Sequence, residues 1–195
     1  VDAKVFDFVV EFLIDGFQRF NMEKVLIYLA DSYLTGECET NNEKILKKRL
    51  KAFKKMENGK KADNICLLDN KGNVKRLSDL DKDYILVLFW STECPHCKSI
   101  LPQIKKWSAD KKNLQIFAVS IDPVKEKWIK YLENNDLPWI NVYEFGGWEG
   151  KTAENYNVYA TPGMYLLNNN RTILSKPVTF RQLKKDFLQL SEKTQ

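Results

Sequence analysis

A chain of 195 residues, 44% apolar and 29% charged, holds one domain of ordinary size plus a small addition and has the composition of a soluble globular protein. No apolar run in it approaches the length needed to span a bilayer. The net charge of +5 comes from Lys and Arg interspersed with Asp and Glu, which reads as a generally basic surface and argues against a nucleic-acid partner.

Residues 1–57 read as a small helical region. Phe6, Val9, Val10, Leu13, Phe17 and Phe20 recur at helical spacing, and Phe8, Phe12 and Ile14 make the rest of that helix apolar too, so it should be largely covered. A second helix runs from Met22 to Leu34, capped by Asn21 and ended by Gly36. A third, opened by Asn42, buries Ile45, Leu46, Leu50 and Phe53 and turns a lysine-rich face to solvent. Short helices of this kind are not stable alone and are expected to pack on one another and on the remainder of the chain, or to be the remnant of a longer N-terminal domain. Glu57 to Lys61 read as a linker. The chain opens Val1-Asp2-Ala3 without Met or signal peptide, which leaves room for an export signal or a membrane anchor ahead of it.

Residues 62–195 alternate strands and helices. Ile65 to Leu68 and Val74 to Leu77 flank the turn Asp69-Asn70-Lys71-Gly72 and read as a β-hairpin. Tyr84 to Phe89 is β-branched and aromatic throughout, the signature of a fully buried parallel strand. A helix from Cys94 through Trp107 and a strand from Leu114 to Ile121 complete a βαβ unit with a right-handed crossover. Asp122-Pro123 starts the next helix, Val124 to Asn134, and Pro138 to Tyr143 is a short strand. A loop at Gly146 to Gly150 and a short helix through Tyr156 lead to Thr161-Pro162 and the strand Met164 to Leu167. Asn168 to Arg171 turns the chain into an edge strand at Ile173-Leu174, and Thr179 caps a final helix burying Phe180, Leu183, Phe187 and Leu190.

The chemistry concentrates at Cys94-Pro95-His96-Cys97, on the junction between the buried strand and its helix. Unpaired N–H groups and the helix dipole stabilise an anion at a helix start, so Cys94 is the expected nucleophile, with a depressed thiol pKa. Cys97 lies on the same helical face one turn later and is placed to resolve a mixed disulfide. Pro95 suits a first-turn position, and His96 adds a donor or positive charge beside the sulfur. Such exchange needs protein thiols or disulfides as substrates and a redox partner to recycle the pair, but no cofactor. A structural zinc site would need four ligands, and the chain lacks a second paired set.

The run Phe89-Trp90-x-x-x-Cys94-x-x-Cys97, the helix proline Pro102 and Ala160-Thr161-Pro162-Gly163 before a strand resemble the thioredoxin-like superfamily, and within it the TlpA/ResA-like, AhpC/TSA-related branch of exported bacterial thiol-disulfide oxidoreductases. The resemblance implies an α/β thioredoxin-like fold, a central mixed sheet flanked by helices with an N-terminal β-hairpin, and a periplasmic or cell-envelope location. It also implies a cis-proline at Pro162 packed against the cysteines, and a peptide-binding lip of Trp90, Thr161 and Pro162.

Two departures from that pattern bear on mechanism. The family's buried acids would stand at Leu88 or Ile100, and neither is acidic; water or His96 is the expected proton carrier. Pro95-His96 resembles the dipeptide of the strong oxidant DsbA, whereas the scaffold resembles reductases. A thiol peroxidase would carry Thr three residues before its cysteine, where this chain has Ser91, and a redox-sensing interaction module is the remaining alternative. Cys38 and Cys66 are read as two separate thiols, bridged only if their α-carbons come within about 7 Å.

Overall fold

The computed structural model describes residues 3–19, 22–33 and 51–192. The chain divides into two compact units, 1–57 and 58–195. In the first, α1 (Ala3–Arg19) and α2 (Glu23–Tyr33) are helices, and 51–55 are helical as well. Val10, Ile14, Leu26 and Phe53 form its core, with Phe17 and Ile27 packed against them. The buried face of α1 is thus centred on Val10 and Ile14, whereas Val9 is exposed. Phe8 and Phe12, expected to be covered, remain 68% and 69% exposed. The start of the expected third helix and Cys38 lie outside the described residues.

The second unit is a seven-stranded mixed sheet in the order β2-β1-β5-β4-β3-β6-β7. Its strands are β1 (Cys66–Asp69), β2 (Val74–Arg76), β3 (Tyr84–Trp90), β4 (Leu114–Ser120), β5 (Ile140–Tyr143), β6 (Gly163–Asn168) and β7 (Ile173–Ser175). The helices are α3 (Pro95–Ser108), α4 (Lys125–Asn134), α5 (Lys151–Asn155) and α6 (Phe180–Glu192). Every residue of β3 is buried, which is what an unbroken apolar run produces when helices cover both faces of a sheet. Leu86, Leu88 and Trp90 share a cluster with Leu101 and Ile104 of α3 and Trp128 of α4. Fully burying such side chains stabilises the fold by about 1.5–3 kcal/mol each.

The hairpin forms as its Asp69-to-Gly72 turn predicts. Asp69 accepts from the Lys71 and Asn73 N–H groups at 2.9 and 2.8 Å, and these bonds lower its carboxyl pKa against the opposing effect of burial. Thr179 caps α6 through Oγ1, which accepts from Gln182 N at 3.1 Å. The expected linker behaves otherwise. Gly59 N donates to Ile173 O at 2.8 Å, Ile173 N donates to Lys60 O at 2.9 Å, and Ala62 N donates to Arg171 O at 2.9 Å. Residues 59–62 therefore line the outer edge of β7 and satisfy main-chain groups that an edge strand would leave open.

Two registers fix the site. The parallel pairing aligns Trp90 with Ser120, so the chains leaving β3 and β4 emerge side by side. The antiparallel pairing sets Phe89 opposite Gly163, bringing Thr161-Pro162 to the same end of the sheet.

Candidate functional site

Beyond Trp90 the chain makes a short loop, Ser91 to Glu93, and enters α3 with Cys94 as N-cap and Pro95 at the first helical position. Proline costs nothing there because its missing N–H would have had no helical partner. Cys94 has extended φ and ψ of −88° and 111°, and its sulfur accepts a hydrogen bond from Cys97 N at 3.1 Å. This is the ordinary N-cap contact with sulfur in place of oxygen. The Cys94 thiol donates in turn to the Thr161 carbonyl at 3.4 Å, and the Thr161–Pro162 bond is cis.

The two sulfurs occupy different surroundings. Cys94 is partly exposed, whereas Cys97 is fully buried, and both are free thiols. Burial, and then the neighbouring Cys94 sulfur, push the Cys97 thiol up to about 12, with the Ser91 backbone and Thr161 side chain acting in the opposite direction. A thiol so placed stays protonated at neutral pH and is a poor first nucleophile.

Of the other residues singled out from sequence, Pro95 and His96 are exposed on the first turn of α3, and Thr161 and Pro162 are half-buried beside Cys94. The His96 ring is not among the partners of the Cys94 sulfur. Trp90 requires correction. It is 0% exposed, its ring packs against Tyr131 at 5.2 Å, and it presents no surface to a peptide. Parallel-sheet residues face covered layers on both sides, so its place in β3 decides its burial. Glu93, next to Cys94 in the chain, is exposed and ion-paired with Lys127. Cys66 is an exposed free thiol.

Sequence reasoning missed Asp122. It follows the end of β4 at 0% exposure, where the strand register sets it against the loop before Cys94. Its Oδ1 accepts from Ser91 Oγ at 2.8 Å, Thr92 N at 2.8 Å and Thr92 Oγ1 at 2.6 Å, and Oδ2 accepts from Ser120 Oγ at 2.6 Å. Ser91 passes the constraint on: its Oγ accepts from Glu93 N at 3.0 Å and its carbonyl from Cys94 N at 3.2 Å. Tyr143 Oη closes the network on the Asp122 carbonyl at 2.7 Å. The Ser91 and Thr92 hydroxyls are thereby committed to Asp122. A polar Ser-x-Asp ending an apolar strand, with Ser-Thr ending its neighbour, was the available signal.

The AhpC/TSA family profile matches residues 58–176. Among curated proteins, the thiol-disulfide oxidoreductase ResA of Oceanobacillus iheyensis is 26% identical over 100 residues, 50% of either chain, so the chain spans about half the length of that relative. Among solved structures, a thioredoxin-like protein from Bacteroides caccae is 25% identical with a TM-score of 0.73, covering 86% of this chain and 62% of its own. The thioredoxin domain of a thiol-disulfide oxidoreductase from Bacteroides vulgatus is 28% identical with a TM-score of 0.62, covering 69% and 97%.

Proposed function

Since the chain belongs to the AhpC/TSA family through residues 58–176, we propose that it is a thiol-disulfide oxidoreductase acting on protein substrates through Cys94 and Cys97. The observation that carries this reading is the N-capping sulfur: Cys94 takes the Cys97 N–H at 3.1 Å on the exposed end of α3, with the buried Cys97 thiol behind it. Cys94 is thus the sulfur a substrate can reach, and Cys97 is the one held in reserve behind it.

In the reductive direction the Cys94 thiolate attacks one sulfur of a substrate disulfide. The substrate S–S bond breaks, a mixed disulfide forms on Cys94, and the electron pair leaves with the second substrate sulfur. Cys97 then loses its proton, which the departing substrate thiolate takes, and attacks the Cys94 sulfur. The product is a Cys94–Cys97 disulfide and a substrate dithiol; two electrons have passed to the substrate. Oxidation of a substrate dithiol is the same sequence reversed. The high thiol pKa of Cys97 keeps it protonated until the mixed disulfide brings a basic thiolate close. Thr161 and Pro162 border the Cys94 sulfur and are the backbone a substrate segment would lie along.

A separate redox protein must return the pair to its starting state. The resemblance to exported TlpA/ResA-like proteins supports a periplasmic or cell-envelope location. The test is insulin reduction by dithiothreitol followed by turbidity. Catalysis lost in Cys94→Ser supports the proposal; undiminished catalysis in that variant refutes it.

A further inference from the structure

A groove of about 490 Å³ opens beside the Cys94 loop. Thr92 and Glu93 of the loop and Lys98 of α3 line one side; Lys127, Lys130 and Tyr131 of α4 line the other. The α4 residues fall at positions i, i+3 and i+4 and so share one face of that helix. Lys98 belongs to the first turn after the cysteine pair, with its N–H on the Cys94 carbonyl at 3.2 Å. Tyr131 carries the groove down to the core, where its ring meets Trp90. Tyr131 packs against the same core cluster that holds Cys97, and burial, then Cys97, raise its hydroxyl pKa.

Three ammonium groups therefore face one carboxylate. Glu93 is already held by Lys127, and that contact raises the Lys127 pKa. Lys98 and Lys130 are exposed and enter no ion pair among the described residues. Among the described residues, two positive charges on the lining of this groove are left without ion-pair partners, next to the loop that carries Cys94.

We propose that this groove binds an acidic stretch of the substrate polypeptide next to the disulfide under attack, so that substrates with Asp or Glu near the reacting cysteine are favoured. The proposal rests on the disulfide-exchange reading of Cys94. It adds a selectivity which that reading does not contain: exposed charges at this range accelerate encounter and hold the bound segment, and salt weakens them.

The experiment uses the reduced full chain and three synthetic peptides. Each carries one cysteine capped with 2-mercaptoethanol, flanked by Asp and Glu, by Asn and Gln, or by Lys and Arg. Rates are divided by those of the same peptides with dithiothreitol, which removes their intrinsic reactivity. The acidic peptide is expected to react about fivefold faster than the neutral one, and the basic peptide more slowly than both. The ratio should fall toward one in 1 M salt, where screening extends only about 3 Å. It should fall likewise in the Lys98→Gln, Lys130→Gln double variant. A ratio near one in the wild-type protein at low salt overturns the proposal, as does a fivefold preference that survives in the double variant. Reaction with the uncharged reagent 4,4′-dithiodipyridine separates the two levels. Brisk reaction without charge preference sinks the groove alone, whereas no reaction at Cys94 sinks the exchange reading and the groove with it.

Discussion

Asp122 offers the sharpest perturbation, because four donors converge on a side chain with no access to water. Replacing it by Ala orphans the Thr92 N–H, which cannot turn elsewhere, and three hydroxyls, which can rotate and recover part of their bonding. At about 1 kcal/mol per bond, with the hydroxyl losses partly recovered, Asp122→Ala should cost about 2–4 kcal/mol. Asp122→Asn keeps an oxygen for the Ser91–Thr92 side and should cost about half as much. The Ser91-to-Cys94 segment hangs from these bonds, so the insulin-reduction rate should fall by about tenfold in Asp122→Ala at a temperature where the protein remains folded, and less in Asp122→Asn. Urea unfolding followed by tryptophan fluorescence is the assay; all five tryptophans lie in the second unit, so the signal reports that unit. For a slope of about 2 kcal/mol/M, the Ala midpoint should drop by about 1–2 M. An unchanged midpoint in Asp122→Ala would refute the claim that Asp122 holds the loop. A large drop in stability with unimpaired turnover would show that the loop needs no such anchor for catalysis.

Three further outcomes are expected of the site. Because Cys97 titrates near 12, iodoacetamide at pH 7–9 should label Cys94 alone of the pair, as mass spectrometry of digested protein would show; comparable labelling of Cys97 would contradict the burial argument. The same shift has a sign for stability: between the ordinary thiol pKa of about 8.5 and 12 the unfolded chain holds fewer protons than the folded one, so the reduced protein should weaken as pH rises through that window. Urea midpoints at pH 8 and 10 should show an extra fall that Cys97→Ser lacks. Trp90→Phe should leave the KM for insulin unchanged, since the ring is buried in the core and the indole N–H has no hydrogen-bond partner among the described residues; a raised KM would return Trp90 to the peptide surface.

The βαβ unit was legible because its signals are local. An apolar run from Tyr84, a Cys-x-x-Cys at the following junction and a helical period after it fix strand, turn and helix without knowledge of any partner strand. The Thr161-Pro162 position became readable only by resemblance, since a Thr-Pro pair alone predicts an ordinary turn; the register of β6 against β3 is what carries it to Cys94. The Ser-x-Asp signal at Asp122 could not be placed for the same reason, its function depending on Trp90 lying level with Ser120. Next to Pro123 it looked like a helix start. The burial of Trp90 escaped because alternation carries no information in a strand covered on both faces. Residues 59–62 were misread because edge pairing uses main-chain groups, which leave no pattern in side chains.

The central claim, that Cys94 attacks and Cys97 resolves, is tested most directly by trapping the mixed disulfide. Cys97→Ala and Cys94→Ala proteins are reduced, exposed to oxidised glutathione and weighed intact, then digested to locate the adduct. A glutathione adduct on Cys94 in the Cys97→Ala protein, with none on Cys97 in the Cys94→Ala protein, is the predicted result. Rapid adduct formation on Cys97 when Cys94 is absent, or none on Cys94 when Cys97 is absent, would contradict it.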